Sequence, residues 1–244
     1  MKSNPFAGVG CLIRGLQMIT QPALRAFVVI PLLINMVIFS LLVWLGTTQF
    51  EGLLNQMLPE DHWLDFLRWL LWPLFALTFI LIIFYTFTVV ANLIASPFND
   101  LLAQKVEQLL GGQRLEEHSS SWTQIIKGVG PALMGEGRKI VYFLLRVVPL
   151  LLLFVIPGLN VIAPFLWLLF SAWFLALQYV DYPMGNHNIP FNKQTGYLKQ
   201  QRMTALGFGG ALTLMMMIPL LNFVAMPAAV AGATILWHER LRGN

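Results

Sequence analysis

Charge is scarce in this sequence. Only 11% of the 244 residues are Asp, Glu, Lys or Arg, whereas 57% are hydrophobic. Soluble domains carry about 25% charged residues, so this composition excludes an ordinary soluble protein and predicts an integral membrane protein. No polar linker separates two apolar halves, and we therefore expect one membrane domain over residues 1–244.

Other chemical signals are also lacking. Cys11 is the only cysteine, which excludes an intrachain disulfide, and the four histidines (His62, His118, His187 and His238) show no paired metal-ligand spacing. There is no Gly-rich loop ending in GK[ST], no hydrolase-like arrangement of nucleophile and base, and no basic stretch with interleaved aromatics. We expect no enzyme, no metal, no cofactor and no nucleic-acid partner. The net charge of +4 fits contact with anionic lipid headgroups.

Two long hydrophobic runs are present instead. Residues 27–45 would form a helix of about 28 Å, long enough to cross the hydrocarbon core. Residues 69–95 form a longer second run, whose helical pattern continues to about residue 110. Before them, residues 1–24 place Phe6 and Ile13 at helical spacing, which predicts a short interfacial helix on the cytoplasmic side.

The later part of the chain predicts two helical hairpins. Basic residues flank residues 140–180 and 206–237 on both sides, so each segment is expected to enter and leave on the cytoplasmic side, while the acidic 46–68 loop faces out. Both segments contain the pattern Ile-Pro-x-Leu-Asn, typical of a turn between helices. The second hairpin's arms, of about 12–15 residues, reach only about 20 Å.

The predicted fold is therefore an all-α integral membrane protein. It combines two long transmembrane helices with two partly inserted, re-entrant hairpins, because arms too short to cross stop within the bilayer or are covered by protein. Six ordinary spans are the alternative.

Polar residues follow one face of the second long helix. Asn92, Asn99 and Glu107 share this face, and Asn35 is a further polar group at membrane depth in the first helix. One interpretation is a water-filled permeation path through these four residues. The other is that Asn99 and Glu107 lie on a solvated cytoplasmic face.

Arg146 lies six residues inside the third apolar segment. It either snorkels back to the headgroups or needs an anion or an acidic partner, for which Glu107 and Glu136 are the candidates.

Arg25 immediately precedes the first apolar run and also has two interpretations. Positive residues beside apolar spans commonly act as topology anchors. However, Pro22 favours a helix start, and the unpaired amides of Ala23, Leu24 and Arg25 would then join a guanidinium in a seat for a tetrahedral oxyanion.

Three stretches resemble one known family. QPALRAFVVIPLLIN (from Gln21), ASPFNDLLAQKVEQLLGG (from Ala95) and LQYVDYPMGNHNIPF (from Leu177) are similar to the CysZ family of bacterial sulfate permeases. The resemblance implies a multi-pass protein of the bacterial inner membrane that admits sulfate for reduction and cysteine synthesis. It also implies a homo-oligomer assembled from dimers, the same helix and hairpin architecture, and no ATP-binding subunit.

The resemblance also implies a sulfate site. In the family this site resembles Pro-Gly-(Leu/Ile)-Arg-Arg at the start of the first transmembrane helix, and Pro22, Ala23, Leu24, Arg25 and Ala26 occupy these positions here. The first arginine is present and the second is absent. A Cβ on Ala23 limits close approach. The missing guanidinium at position 26 removes a contact worth about 1.5–3 kcal/mol, or roughly 10- to 150-fold in affinity.

Sulfate uptake, channel-like or ion-coupled, is therefore the leading functional hypothesis, with sulfate, membrane lipids and further copies of the chain as partners. A membrane scaffold or accessory subunit without transport activity is the alternative from another class. A permease for another oxyanion, such as sulfite or thiosulfate, differs from the leading hypothesis only in its ligand.

Overall fold

The computed structural model describes residues 3–57, 65–111 and 122–242. Every regular element in these ranges is a helix, and three of the helices are long and apolar enough to cross a membrane. The elements are α1 (Pro5–Met18), α2 (Pro22–Met57), α3 (Asp65–Leu109), α4 (Trp122–Val155), α5 (Ala163–Asn186), α6 (Phe191–Gln200), α7 (Arg202–Met216), α8 (Pro219–Leu236) and a π-helical turn (Trp237–Leu241). The candidate spans are Pro22–Gly46, Ala163–Asn186 and Pro219–Leu241. The all-helical prediction is thus confirmed.

The chain divides into two compact units, each described by itself. The first unit comprises Met1–Ala26 and Asn99–Asn244, and the second comprises Phe27–Phe98. A single membrane domain therefore stays a prediction.

The second unit pairs α2 with α3. The rings of Phe39 and Phe87 lie 5.0 Å apart, and a Cβ on Gly46 would come within 2.8 Å of the Phe79 ring. Higher numbers on α2 meet lower numbers on α3, so the two helices are antiparallel. Both are longer than the apolar runs that predicted them, and α3 continues to Leu109 as its pattern indicated.

Small residues hold the first unit together. Helix α1 lies against α7 and α8, and α5 packs on the same two helices. On α1, a Cβ at Gly8 would overlap the carbonyl of Thr204 on α7, and a Cβ at Gly15 would lie 2.5 Å from the carbonyl oxygen of Ala228 on α8. Missing side chains let helix backbones approach closely, as in membrane-protein interfaces. The face of α1 that carries Phe6 and Ile13 stays exposed, as an interfacial helix requires.

Two helix–turn–helix pairs, α4–α5 and α7–α8, lie where the hairpins were predicted, and their tips differ. Their partial insertion stays a prediction. Residues 156–162 connect α4 to α5 without helix, and Gly158 has a φ of +85°, which glycine adopts easily. In the second hairpin only Met217 and Ile218 separate α7 from α8. Pro219 opens α8 there, and the Asn222 amide donates to Ile218 O. The shared Ile-Pro-x-Leu-Asn pattern therefore forms a loop once and a helix start once.

The second hairpin is longer than its sequence suggested. Helix α7 has 15 residues, but α8 and the π-helical turn together continue to Leu241. Helix α8 itself ends at Leu236, next to the expected end at residue 237, and the π-helical turn extends the second hairpin beyond it. The Arg14 guanidinium on α1 forms an ion pair with the Glu239 carboxylate at 2.7 Å.

Candidate functional site

A buried carboxylate lies near the C-terminal end of α3. The side chain of Glu107 is 2% exposed, and its oxygens lie 2.8 and 2.9 Å from His187 Nε2. Arg242 Nη1 donates to the same carboxylate at 2.9 Å. We call these three residues the Glu107 cluster. A buried charge is tolerated only when paired, and here two groups share this task.

A second polar group continues along the same face of α3. Asn99 is 5% exposed, and its Nδ2 donates to the Tyr182 hydroxyl at 3.3 Å. Beside it, Asp181 on α5 pairs with Lys139 on α4 and accepts a hydrogen bond from Gln194 Nε2 on α6 at 2.7 Å. We call Asp181, Lys139 and Gln194 the Asp181 cluster. It ties α4, α5 and α6 together.

Asp100 lies within the field of this cluster. The pKa of the Asp100 carboxyl is raised to about 6, mainly by burial and also by the negative charge of Asp181, while Lys139 opposes the shift. Asp100 is thus a carboxyl that titrates close to neutral pH.

The polar-face prediction has a mixed outcome. Asn99 and Glu107 are buried and partnered, so their interpretation as a solvated face is wrong. Asn35 belongs to the second unit, and its buried Oδ1 has no partner within the described ranges. Asn92 lies in α3, but its side chain is outside what the structure describes. Permeation along these residues stays a prediction.

Arg25 lies at the start of α2, on an exposed surface together with Ala23 and Ala26, whereas Leu24 is buried. The amides of Leu24 and Arg25 both donate to Gln21 O, at 3.0 and 3.1 Å. The expectation that these two amides are free is therefore wrong, because the first turn of the helix already uses them. Among the described residues, only the amide of Ala23 in this turn has no acceptor.

The Arg25 side chain folds back toward the residues that precede α2. Its Nε donates to Thr20 O at 2.6 Å, which fixes the guanidinium beyond the N-terminal end of α2 and leaves the terminal nitrogens available. An anion at this position would meet one backbone N–H, the positive end of a helix dipole and a guanidinium.

Arg146 does not pair with Glu107, one of the two acidic partners considered for it. Its Nη1 donates to Tyr142 O at 3.0 Å, and Cζ lies 3.5 Å from the centroid of the Tyr142 ring. Glu107 pairs with His187 and Arg242 instead, and the Glu136 side chain lies outside the described part. The guanidinium of Arg146 reaches back by one helical turn, in the direction expected of a snorkelling side chain.

Sequence reasoning missed His187, Arg242 and the Asp181 cluster. A signal was present, because Asp181 and His187 both fall in the polar stretch that follows the apolar part of α5. No group of three or more metal-binding side chains occurs in the ranges described.

In the described ranges, long apolar helices and a buried charge network define a helical membrane protein. A family model described as sulfate transporter CysZ/etoposide-induced protein 2.4 matches residues 11–227. The chain belongs to this family.

Curated relatives cover nearly the whole chain. It is 44% identical to a protein of Pseudomonas syringae pv. tomato, and the 238 aligned residues cover 97% of this chain and 94% of the relative. It is 43% identical to a protein of Pseudomonas aeruginosa (95% and 94%) and 43% identical to one of Vibrio parahaemolyticus (96% of each). All three relatives are named sulfate transporter CysZ, a name that fits a protein that is not an enzyme.

Proposed function

We propose that this protein carries sulfate across the bacterial inner membrane and so supplies sulfate assimilation and cysteine biosynthesis. The observation that carries the proposal is the similarity to proteins named sulfate transporters over more than nine-tenths of the chain. The three candidate spans and the positive residue at the start of α2 are consistent with it.

Sulfate is captured at the start of α2 in this proposal. The site comprises Ala23, Leu24, Arg25 and Ala26, with the Ala23 amide and the terminal nitrogens of Arg25 as the direct donors. Leu24 contributes by anchoring the turn, because its side chain is fully buried. With one guanidinium and one free amide, the site favours weak, readily reversible binding, which suits transport more than storage.

Asn35, Asn92, Asn99 and Glu107 are the residues that we propose guide the anion onward. A free carboxylate would repel a dianion, so the pairing of Glu107 with His187 and Arg242 matters for this role. The Arg242 guanidinium offsets the negative charge, the contact with His187 occupies the carboxylate oxygens, and the surroundings of Glu107 are left acceptable to sulfate.

The proposed architecture is multi-pass, with α2 and α3 as long transmembrane helices and the hairpins α4–α5 and α7–α8 partly inserted. The hairpin tips support it. Residues 147–180 and 203–237 contain no charged residue, and Val155 and Leu220 at the two tips are 79% and 81% exposed. Loops that end in water are normally polar, so these tips are expected to remain in hydrocarbon or against protein. Assembly as a homo-oligomer of dimers, in contact with membrane lipids, completes the proposal.

Equilibrium binding of radiolabelled sulfate to the purified protein tests the capture site. Arg25→Ala should abolish or strongly weaken binding, whereas Lys193→Ala, which removes another exposed cation, should not. Equal affinities of wild type and Arg25→Ala would exclude the proposed seat. Competition with sulfite and thiosulfate would show which oxyanion the seat prefers.

Flux through reconstituted vesicles tests transport itself. Vesicles that contain the protein should take up radiolabelled sulfate faster than empty vesicles. Uptake that persists after the proton gradient is collapsed would argue against proton symport. A purified protein that binds no sulfate and passes none would instead favour the scaffold alternative.

A further inference from the structure

An open groove of about 520 Å³ lies among α4, α5 and α7, wholly within the first unit. Its walls are almost entirely apolar and include Leu150, Leu166 and Leu169, but Arg146 and Arg202 also line it. The volume falls within the range of about 300–1,000 Å³ that is usual for small-molecule sites. Two cations in an otherwise apolar groove require an explanation.

Neither arginine is neutralised within the described part of the chain. Arg146 donates only to the carbonyl oxygen of Tyr142 and stacks on the ring of that residue. Arg202 Nε donates to Lys199 O at 3.1 Å. Each guanidinium has five N–H donors, so most of them are still available in a side chain whose orientation is already fixed.

The two charges lie toward one end of the groove. Helices α4 and α7 both run toward the hairpin tips, so Arg146 precedes Leu150 by one turn and Arg202 opens α7. Helix α5 runs the other way, which places Leu166 and Leu169 toward the tip of their hairpin. The groove is therefore basic at the base of the hairpins and apolar toward the tips.

This polarity matches one class of ligand. A free inorganic anion would gain nothing from the apolar wall, and an uncharged lipid would gain nothing from the guanidinium groups. A phospholipid with net negative charge uses both, because its phosphate pairs with arginine at the interface while its acyl chain covers apolar surface. Leu145 and Leu169, which are both exposed and line the groove, gain a partner in this way.

We propose that this groove binds one anionic phospholipid, with its phosphate at Arg146 and Arg202 and an acyl chain along Leu150, Leu166 and Leu169. The site is separate from the Arg25 seat and does not depend on the proposed sulfate transport.

Native mass spectrometry of the full-length protein tests this proposal with two defined lipids, phosphatidylglycerol and phosphatidylethanolamine. Wild type should retain phosphatidylglycerol preferentially. Arg146→Gln or Arg202→Gln should each weaken retention about tenfold, as expected for the loss of a charge-assisted contact, and the double variant should lose the preference. Lys199→Gln, the matched loss of an exposed cation outside the groove, should retain the lipid as wild type does.

Two further arms identify the occupant. Leu169→Ser should weaken lipid retention because it places a hydroxyl on the acyl wall, and inorganic phosphate at the same concentration should not displace the lipid. Full retention by Leu169→Ser, displacement by phosphate, or equal retention of the two lipids by wild type would overturn the proposal. It would also be overturned if the double variant lost a second copy of the chain rather than lipid, because the groove would then be an interface between copies.

Discussion

The sulfate seat can be strengthened by restoring a missing charge. Ala26 follows Arg25 directly, has an exposed side chain and lies three residues after Ala23, whose amide is free. Ala26→Arg should therefore add a second guanidinium without disturbing any buried contact. A charge-assisted contact of about 1.5–3 kcal/mol corresponds to a 10- to 150-fold gain in affinity, and the lower part of that range is expected at an exposed site.

Equilibrium binding of radiolabelled sulfate to wild type, Ala26→Arg and Ala26→Gln is the appropriate assay. Ala26→Gln is the matched control, since it adds length and polarity without charge. The gain should also decrease as salt increases, because exposed charges are screened. An affinity of Ala26→Arg equal to that of wild type, or an equal gain with Ala26→Gln, would refute the placement of the anion at this turn.

Three further predictions concern stability and are checked by thermal unfolding in detergent. Gly8→Ala should destabilise the protein by about 1–3 kcal/mol because the added Cβ would overlap α7. Gly10→Ala is the control: its Cβ would meet nothing within 4 Å, so it should be neutral or stabilising by up to about 1 kcal/mol. Equal effects of the two variants would contradict the close packing of α1. Arg242→Met should lower the free energy of unfolding by about 1–3 kcal/mol because it leaves Glu107 buried beside His187 alone. Adding Glu107→Gln should recover most of that loss. A double variant no more stable than Arg242→Met would refute this account. Burial raises the pKa of Asp100 to about 6, so its charge costs stability above pH 6 and this cost fades as the pH falls toward 4. Because solvent partly screens this half-buried carboxylate, Asp100→Asn should stabilise by about 1–2 kcal/mol at pH 7.5 and by much less at pH 4.5. A pH-independent effect would contradict the shift.

Local patterns predicted the helical elements well. The long apolar runs located α2 and α3, and the proline-containing repeats located both hairpin turns, because hydrophobic periodicity and helix-breaking residues act within a few residues of themselves. The π-helical turn after α8 was not predicted, and its Glu239 is held by Arg14 through an ion pair that joins residues 225 positions apart. No local pattern carries that information.

The candidate site was predicted only in part for the same reason. Asn99 and Glu107 were found because they share one face of a single helix. The partners of Glu107 come from the end of α5 and from the π-helical turn region, and only the packing of the first unit brings them together. Arg146 was considered as an ion-pair partner of Glu107 because it is a charged residue inside an apolar segment. The contact of its guanidinium with Tyr142, four residues earlier, offers a local alternative that spacing alone did not reveal.

The glycine contacts of α1 also determine when this protein can finish folding. Ser3 and Thr204, whose hydroxyl oxygens lie 3.4 Å apart, are separated by 201 positions in the chain. At about 5–20 residues per second, the ribosome needs roughly 10–40 s to make that stretch. During this interval the packing face of α1 has no partner, so α1 cannot complete its packing until α7 and α8 have been made. The exposed Phe6 and Ile13 face lets α1 lie in the interface meanwhile, because the residues that hold it there differ from those that later dock it.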